Sequence, residues 1–111
     1  MGYYSSVAIA LTKEQYLEDQ LLKNKLPTLL KKEPDLVKDD AVYWFLPYTK
    51  WYDDFPEVCE VTDYLNKLNE QYPDPPFGFI RVGEEQGDIE ELGSPGDFDM
   101  HTSTEIILPL E

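Results

Sequence analysis

Asp39-Asp40-Ala41-Val42-Tyr43-Trp44-Phe45-Leu46-Pro47 is the stretch on which the fold turns. Ala41 to Leu46 is apolar or aromatic at every position, without the polar alternation of a strand that faces water on one side. Such a run reads as a central strand or one covered on both faces. Pro47 has no amide hydrogen to give to a ladder, so the strand should reach a bulge or a sheet edge there. Tyr48-Thr49-Lys50-Trp51-Tyr52 then continues in extended form.

C-terminal to this strand, Asp53-Asp54-Phe55-Pro56-Glu57 reads as a helix start, with Asp54 as cap and Pro56 in the first turn. Val58, Val61, Leu65 and Leu68 follow at steps of three, four and three, which predicts one buried face. Glu57, Glu60, Asp63, Lys67 and Glu70 fall on the other side, with Asp63 and Lys67 four residues apart. Tyr72-Pro73-Asp74-Pro75-Pro76 stops the helix. Phe77–Val82 reads as a strand, Glu84–Asp88 as a turn, Ile89–Leu92 as a short returning strand, Gly93–Asp97 as a loop and Thr102–Leu108 as a final strand.

On the N-terminal side, Tyr3–Leu11 reads as a strand. Thr12-Lys13-Glu14-Gln15 has the form of a capping box, with the Thr12 hydroxyl on the Gln15 amide and the Gln15 side chain reaching back. Tyr16, Leu17, Leu21 and Leu22 predict an apolar stripe on the helix that follows, which Pro27 ends; Thr28–Lys32 adds a short turn, and Glu33-Pro34-Asp35 is a connection. The order β-α-β-α-β-(β)-β predicts a single α+β domain over residues 1–111, with four to five strands in an antiparallel or mixed sheet and two helices packed on one face.

The composition agrees with one folded domain. The chain has 111 residues, 41% of them hydrophobic, with eight Tyr, five Phe and two Trp to build a core. No apolar run is long enough to span a bilayer. No basic region precedes the short apolar run Val7–Leu11, so no secretory signal is expected. Gly2 and Ser6 fit a myristoylation pattern, but no polybasic patch accompanies them, and Gly2 is read as opening the first strand. The lone Cys59 has no internal disulfide partner, which points to a reducing, cytoplasmic setting.

The net charge of −14 is unevenly placed. Residues 1–52 hold seven acids and seven lysines, which cancel; residues 53–111 hold sixteen acids against Lys67 and Arg81. A field of this kind repels nucleic acid and membrane surfaces and draws in basic partners. Direct DNA or RNA binding is therefore not expected.

Residues suited to catalysis are sparse. Asp97, Asp99 and His101 alternate and would point the same way if extended, as a divalent-ion site requires, but an acidic turn with an incidental His explains them more simply. Cys59 lies in the early turns of the second helix, where the helix dipole favours a thiolate and Asp54, Glu57 and Glu60 oppose it; a partly buried structural thiol is the expectation. The acid pairs Asp39/Asp40, Asp53/Asp54 and Glu84/Glu85 diverge in space. No cofactor, metal or catalytic residue is assigned.

Met1-Gly2-Tyr3-Tyr4-Ser5-Ser6-Val7-Ala8, Lys50-Trp51-Tyr52-Asp53-Asp54-Phe55-Pro56-Glu57-Val58, Phe79-Ile80-Arg81-Val82-Gly83-Glu84-Glu85 and Asp88-Ile89-Glu90 together resemble a family of small acidic proteins from bacteriophages and prophages. The resemblance covers most of the chain in the same order, apart from Pro73–Pro76 and Gly93–His101. It implies a phage origin and a bacterial cytoplasm, and it supplies no catalytic residues.

Charge and resemblance together lead to the expectation of an inhibitor of a host nucleic-acid-binding protein, such as a defence nuclease or CRISPR effector, with carboxylates standing in for phosphates. Glu57, Glu60, Asp63 and Glu70 on the helix and Glu84, Glu85, Asp88, Glu90 and Glu91 on the hairpin are the candidates. The alternative is a general interaction module or homo-oligomer that pairs through a sheet edge or an aromatic patch of Tyr48, Trp51 and Tyr52, with the charge serving solubility.

Overall fold

A computed structural model describes residues 3–22, 26–52, 54–85, 87–98, 100–102 and 106–107. The start of the first strand at Gly2 and the acids Asp53 and Asp99 lie outside them. β1 (Ser5–Thr12), β2 (Leu36–Lys38), β3 (Ala41–Thr49), β4 (Phe77–Gly83) and β5 (Ile89–Gly93) form one antiparallel sheet in the order β2-β3-β1-β4-β5. The α+β class, the sheet and the two helices on one face are as the sequence predicts. No element is expected from sequence over Leu36–Lys38, which follow the connection Glu33-Pro34-Asp35; the three residues of β2 are too few to show a period.

β1 is central, so Val7 to Leu11 are buried without exception. Val7, Ile9 and Leu11 turn toward the helices with Val42 and Trp44 of β3 and Phe77 and Phe79 of β4. Ala8 and Ala10 turn the other way with Ala41, Tyr43 and Ile80. The helix side is filled by α2 (Pro56–Gln71), which inserts Val58, Val61, Leu65 and Leu68. Each such burial contributes about 1.5–3 kcal/mol. The 3-10 turn Thr28–Leu30 adds Leu30, and Trp44 donates its indole N–H to the Lys32 carbonyl (3.1 Å).

The opposite face is closed by the C-terminal segment. A 3-10 turn (Pro95–Phe98) brings in Phe98, and Met100 and Ile106 complete the layer. Tyr43 donates its hydroxyl to the Phe98 carbonyl (2.9 Å), and the two rings meet edge to face at 6.4 Å. The small residues opposite make this approach possible: a Cβ on Gly78 would lie 2.8 Å from both Met100 Cε and Pro95 Cα. Of the final strand expected over Thr102–Leu108, the described residues form two short strands, β6 (His101–Thr102) and β7 (Ile106–Ile107), paired antiparallel, and residues 103–105 and 108 lie outside the described ones.

Pro47 sits at a bulge, as expected: the β1–β3 register slips between Val7↔Leu46 and Ser5↔Thr49. Asp35 accepts the Phe45 amide through Oδ2 (2.7 Å) and donates its own amide to the Tyr43 carbonyl (2.8 Å). By alternation Pro47 faces the same open edge and offers no N–H, a device that blunts strand pairing. Tyr48, next in the bulge, has φ +49°.

Several local readings need correction. α2 is capped by Phe55 with no side-chain bond; Asp54 does not cap, and Pro56 takes the first helical position, where no amide is needed. In α1 (Lys13–Leu17), Thr12 Oγ1 does accept the Gln15 amide (3.1 Å), but the Thr12 amide goes to the Pro76 carbonyl, so the box is not reciprocal. Past Leu17 the helix widens into a π-helical turn over Glu18–Leu22. Leu17 and Leu21 face outward instead of forming a buried stripe, while Gln15 and Asp19 are buried. Asp19 Oδ2 accepts the Gln15 side-chain amide (2.8 Å) and the hydroxyl of Tyr64 on α2. Cys59 is exposed on α2, not partly buried.

Candidate functional site

The antiparallel register of β4 and β5 sets Arg81 directly opposite Glu90. Arg81 shares its face with Phe79, so its guanidinium rises on the helix side of the sheet, just beyond the core. Its Nε donates to Glu90 Oε1 (3.0 Å), Nη2 to Asp88 Oδ1 (2.9 Å), and Nη1 to Asp88 Oδ2 (3.2 Å) and Ser5 Oγ (3.1 Å). Tyr3 donates its hydroxyl to Asp88 Oδ2 (2.5 Å) and accepts the Glu85 amide (3.0 Å). Glu84 Oε1 accepts the Tyr4 amide (2.7 Å). The hairpin turn is thereby stitched to the N-terminal end of β1.

These contacts shift the groups involved in consistent directions. The Arg81 guanidinium, and after it the Tyr3 hydroxyl, hold the Asp88 carboxyl below the usual carboxylate value. The bond to Asp88 in turn holds the Tyr3 phenol and the Arg81 guanidinium above their ordinary values. Gly83 lies beneath: a Cβ there would collide with Asp88 Oδ2 and the Tyr3 hydroxyl.

The acidic hairpin read from sequence as one patch is therefore divided. Asp88 and Glu90 neutralise Arg81, and Glu84 is tied to the Tyr4 backbone. Glu85 and Glu91 remain exposed without such ties among the described residues. On α2, Glu57, Glu60, Asp63 and Glu70 are all exposed as expected. Glu60 accepts the Thr28 hydroxyl (3.0 Å). Asp63 and Lys67 do not close into an ion pair among the described residues. α2 and the Arg81–Glu90 pair occupy the same face of the sheet, and the exposed α2 carboxylates lie on that side of the molecule.

The aromatic patch is also divided. Trp51 belongs to the core, 9% exposed, with its ring 6.0 Å from that of Phe79; the surface reading of Trp51 is overturned because the chain leaving β3 folds back over the sheet. Tyr52 is half-buried against Phe55, with its hydroxyl accepting the Tyr3 amide (2.7 Å). Tyr48 alone stands out into solvent, at 82% exposed.

Asp97 is exposed in the 3-10 turn, and the side chain of His101 is not described. Among the described residues no group of three His, Cys, Asp or Glu side chains could hold a metal ion, and every buried side-chain polar atom has a hydrogen-bond partner. No helix among them is long and apolar enough to cross a membrane. Comparison of the chain with protein-family models, with curated proteins and with solved structures finds no match.

Proposed function

We propose that this protein works by binding a basic macromolecule, not by catalysis, and that its partner is a nucleic-acid-binding protein of a bacterial host which it inhibits by occupying a cationic groove. The observation that supports the reading is the set of exposed carboxylates Glu57, Glu60, Asp63 and Glu70 along α2, in a chain half whose Arg81 is already neutralised by Asp88 and Glu90. Lys67 is then the single basic side chain of residues 53–111 outside that hub. Carboxylates held on a helix and a braced hairpin present fixed negative charge, as a phosphate backbone does, and steer a cationic partner toward them. The bacteriophage-like resemblance supports a host target and a bacterial cytoplasm.

The test is retention of a partner from bacterial lysate at low and high salt, with duplex DNA as competitor. Glu57→Lys, Asp63→Lys and Glu70→Lys together should abolish salt-sensitive retention. These positions are chosen because they are exposed and outside the Arg81 hub, so reversal leaves the fold intact. Retention that survives both the triple reversal and high salt would overturn the reading. A second reading, an interaction module with charge serving solubility, draws on Tyr48. An aromatic ring held in solvent on a left-handed backbone is a feature that contact surfaces favour. There Tyr48→Ala alone should remove binding.

A further inference from the structure

The segment made by α1 and the π-helical turn after it has part of its polar and apolar pattern inverted. Its polar residues Gln15 and Asp19 are buried, Asp19 to 3% exposure, while Leu17 and Leu21 are 44% and 71% exposed. A buried carboxylate opposes folding unless it is hydrogen-bonded, and the exposed leucines forgo the stabilisation of burial, while Tyr16 on the inward side packs against Trp44. The inward side is held there by Tyr64 and the Gln15 amide on Asp19, so the outward leucines are fixed in place. The π-helical turn at Glu18–Leu22 belongs to a class of helix irregularity frequent at functional positions.

Leu17 and Leu21 stand one above the other at a spacing of four. Glu14 and Glu18 precede them by three residues each and line the same shallow surface. An apolar seam flanked by carboxylates is the pattern by which one helix receives another whose own seam is flanked by cations. We propose that the Leu17/Leu21 face of α1 and its π-helical turn docks an amphipathic, lysine- or arginine-bearing helix of a partner protein. A second copy of this chain is the poorer occupant: it would present the same Glu14 and Glu18 beside its leucines, so like charges would meet across the contact where a basic helix brings opposite ones. This site lies in the electrically neutral first half and does not depend on the α2 carboxylates.

The test uses the full ¹⁵N-labelled chain and a synthetic helical peptide with a leucine seam between lysine flanks, beside an isomer of the same composition with its leucines dispersed. Amide shifts should concentrate on Glu14–Leu21 and saturate. Leu21→Ser should weaken binding about tenfold, the order expected for removing one partly buried Leu. Glu14→Gln with Glu18→Gln should weaken it further as salt is lowered. The melting temperature of Leu21→Ser should match that of the parent, since Leu21 is exposed. Shifts spread over α2 with Leu21→Ser binding like the parent would overturn the proposal. So would equal binding of the dispersed isomer, or no saturation at about 1 mM peptide. Self-association abolished by Leu21→Ser without peptide would assign the face to a second copy and overturn it as well.

Discussion

Tyr64→Phe is the sharpest probe of the tie that fixes α1. The substitution keeps the ring packed against the core and removes only the hydroxyl that donates to Asp19. Asp19 would remain buried with the Gln15 amide at 2.8 Å as its remaining close donor among these two. A hydrogen bond to a charged acceptor contributes about 1.5–3 kcal/mol net, and leaving a buried charge under-satisfied lies at the upper end. A loss of about 2 kcal/mol is expected, or roughly 8 °C in melting temperature for a domain of this size. The alkaline limb supplies a second, independent check. Burial first, and the bond to Asp19 next, hold the Tyr64 phenol above its ordinary value of 10.0. A raised folded-state value means stability present below pH 10 and lost as pH rises through the folded value, because only the unfolded chain releases the proton in between. Urea unfolding of parent and variant at pH 8 and above pH 10 should therefore show the gap narrowing at the higher pH. A gap under about 0.5 kcal/mol at pH 8, or one that does not narrow, would refute the buried tie.

Gly78→Ala should destabilise by about 1–3 kcal/mol, since its Cβ would meet Met100 and the Pro95 backbone at 2.8 Å; urea unfolding at unchanged slope would measure it. Tyr48→Gly should instead stabilise by roughly 1 kcal/mol, because glycine relieves φ +49° at an exposed position. Arg81→Met should lower stability at neutral pH but not in acid. Asp88 is held below its usual value by Arg81, so this contribution is present above the ordinary carboxylate range and is lost as pH falls through the folded value. Parent and variant should converge on acid titration followed by circular dichroism. Trp51→Ala should cost about 3–5 kcal/mol as a core truncation, detected as a lowered melting temperature, so it is unsuited to testing partner contact.

How much of this was legible in the sequence follows from what each signal encodes. The buried face of α2 was readable because four apolar residues over three turns admit only one inward side. Its cap was not, because Asp54 and Phe55 are adjacent and a proline at the first helical position removes the need for a side-chain acceptor. In α1, Tyr16, Leu17, Leu21 and Leu22 fit two rotations of a short helix, and periodicity cannot choose between them. The choice is made by a contact 45 residues away, Tyr64 on Asp19. For Trp51, the run of aromatics gave no hint that the chain folds back onto Phe79.

The second covering layer was implied without being named. A central run apolar on both faces requires two covers, and two helices on one face leave the other open. Ala8, Ala10 and Gly78 mark where the missing cover lies: three small residues on one face of adjacent strands make a trough that Phe98 and Met100 fill. The same reasoning divides the acids. Sequence places Glu84, Glu85, Asp88, Glu90 and Glu91 together, but Arg81 takes Glu90 and Asp88, the Tyr4 amide takes Glu84, and among the described residues only the Glu85 and Glu91 carboxylates stay open to a partner. A charge count is thus an upper bound on an interaction surface. Here the bound is tightest on α2, where the periodicity that buries Val58, Val61, Leu65 and Leu68 is the same periodicity that turns Asp63 and Glu70 outward.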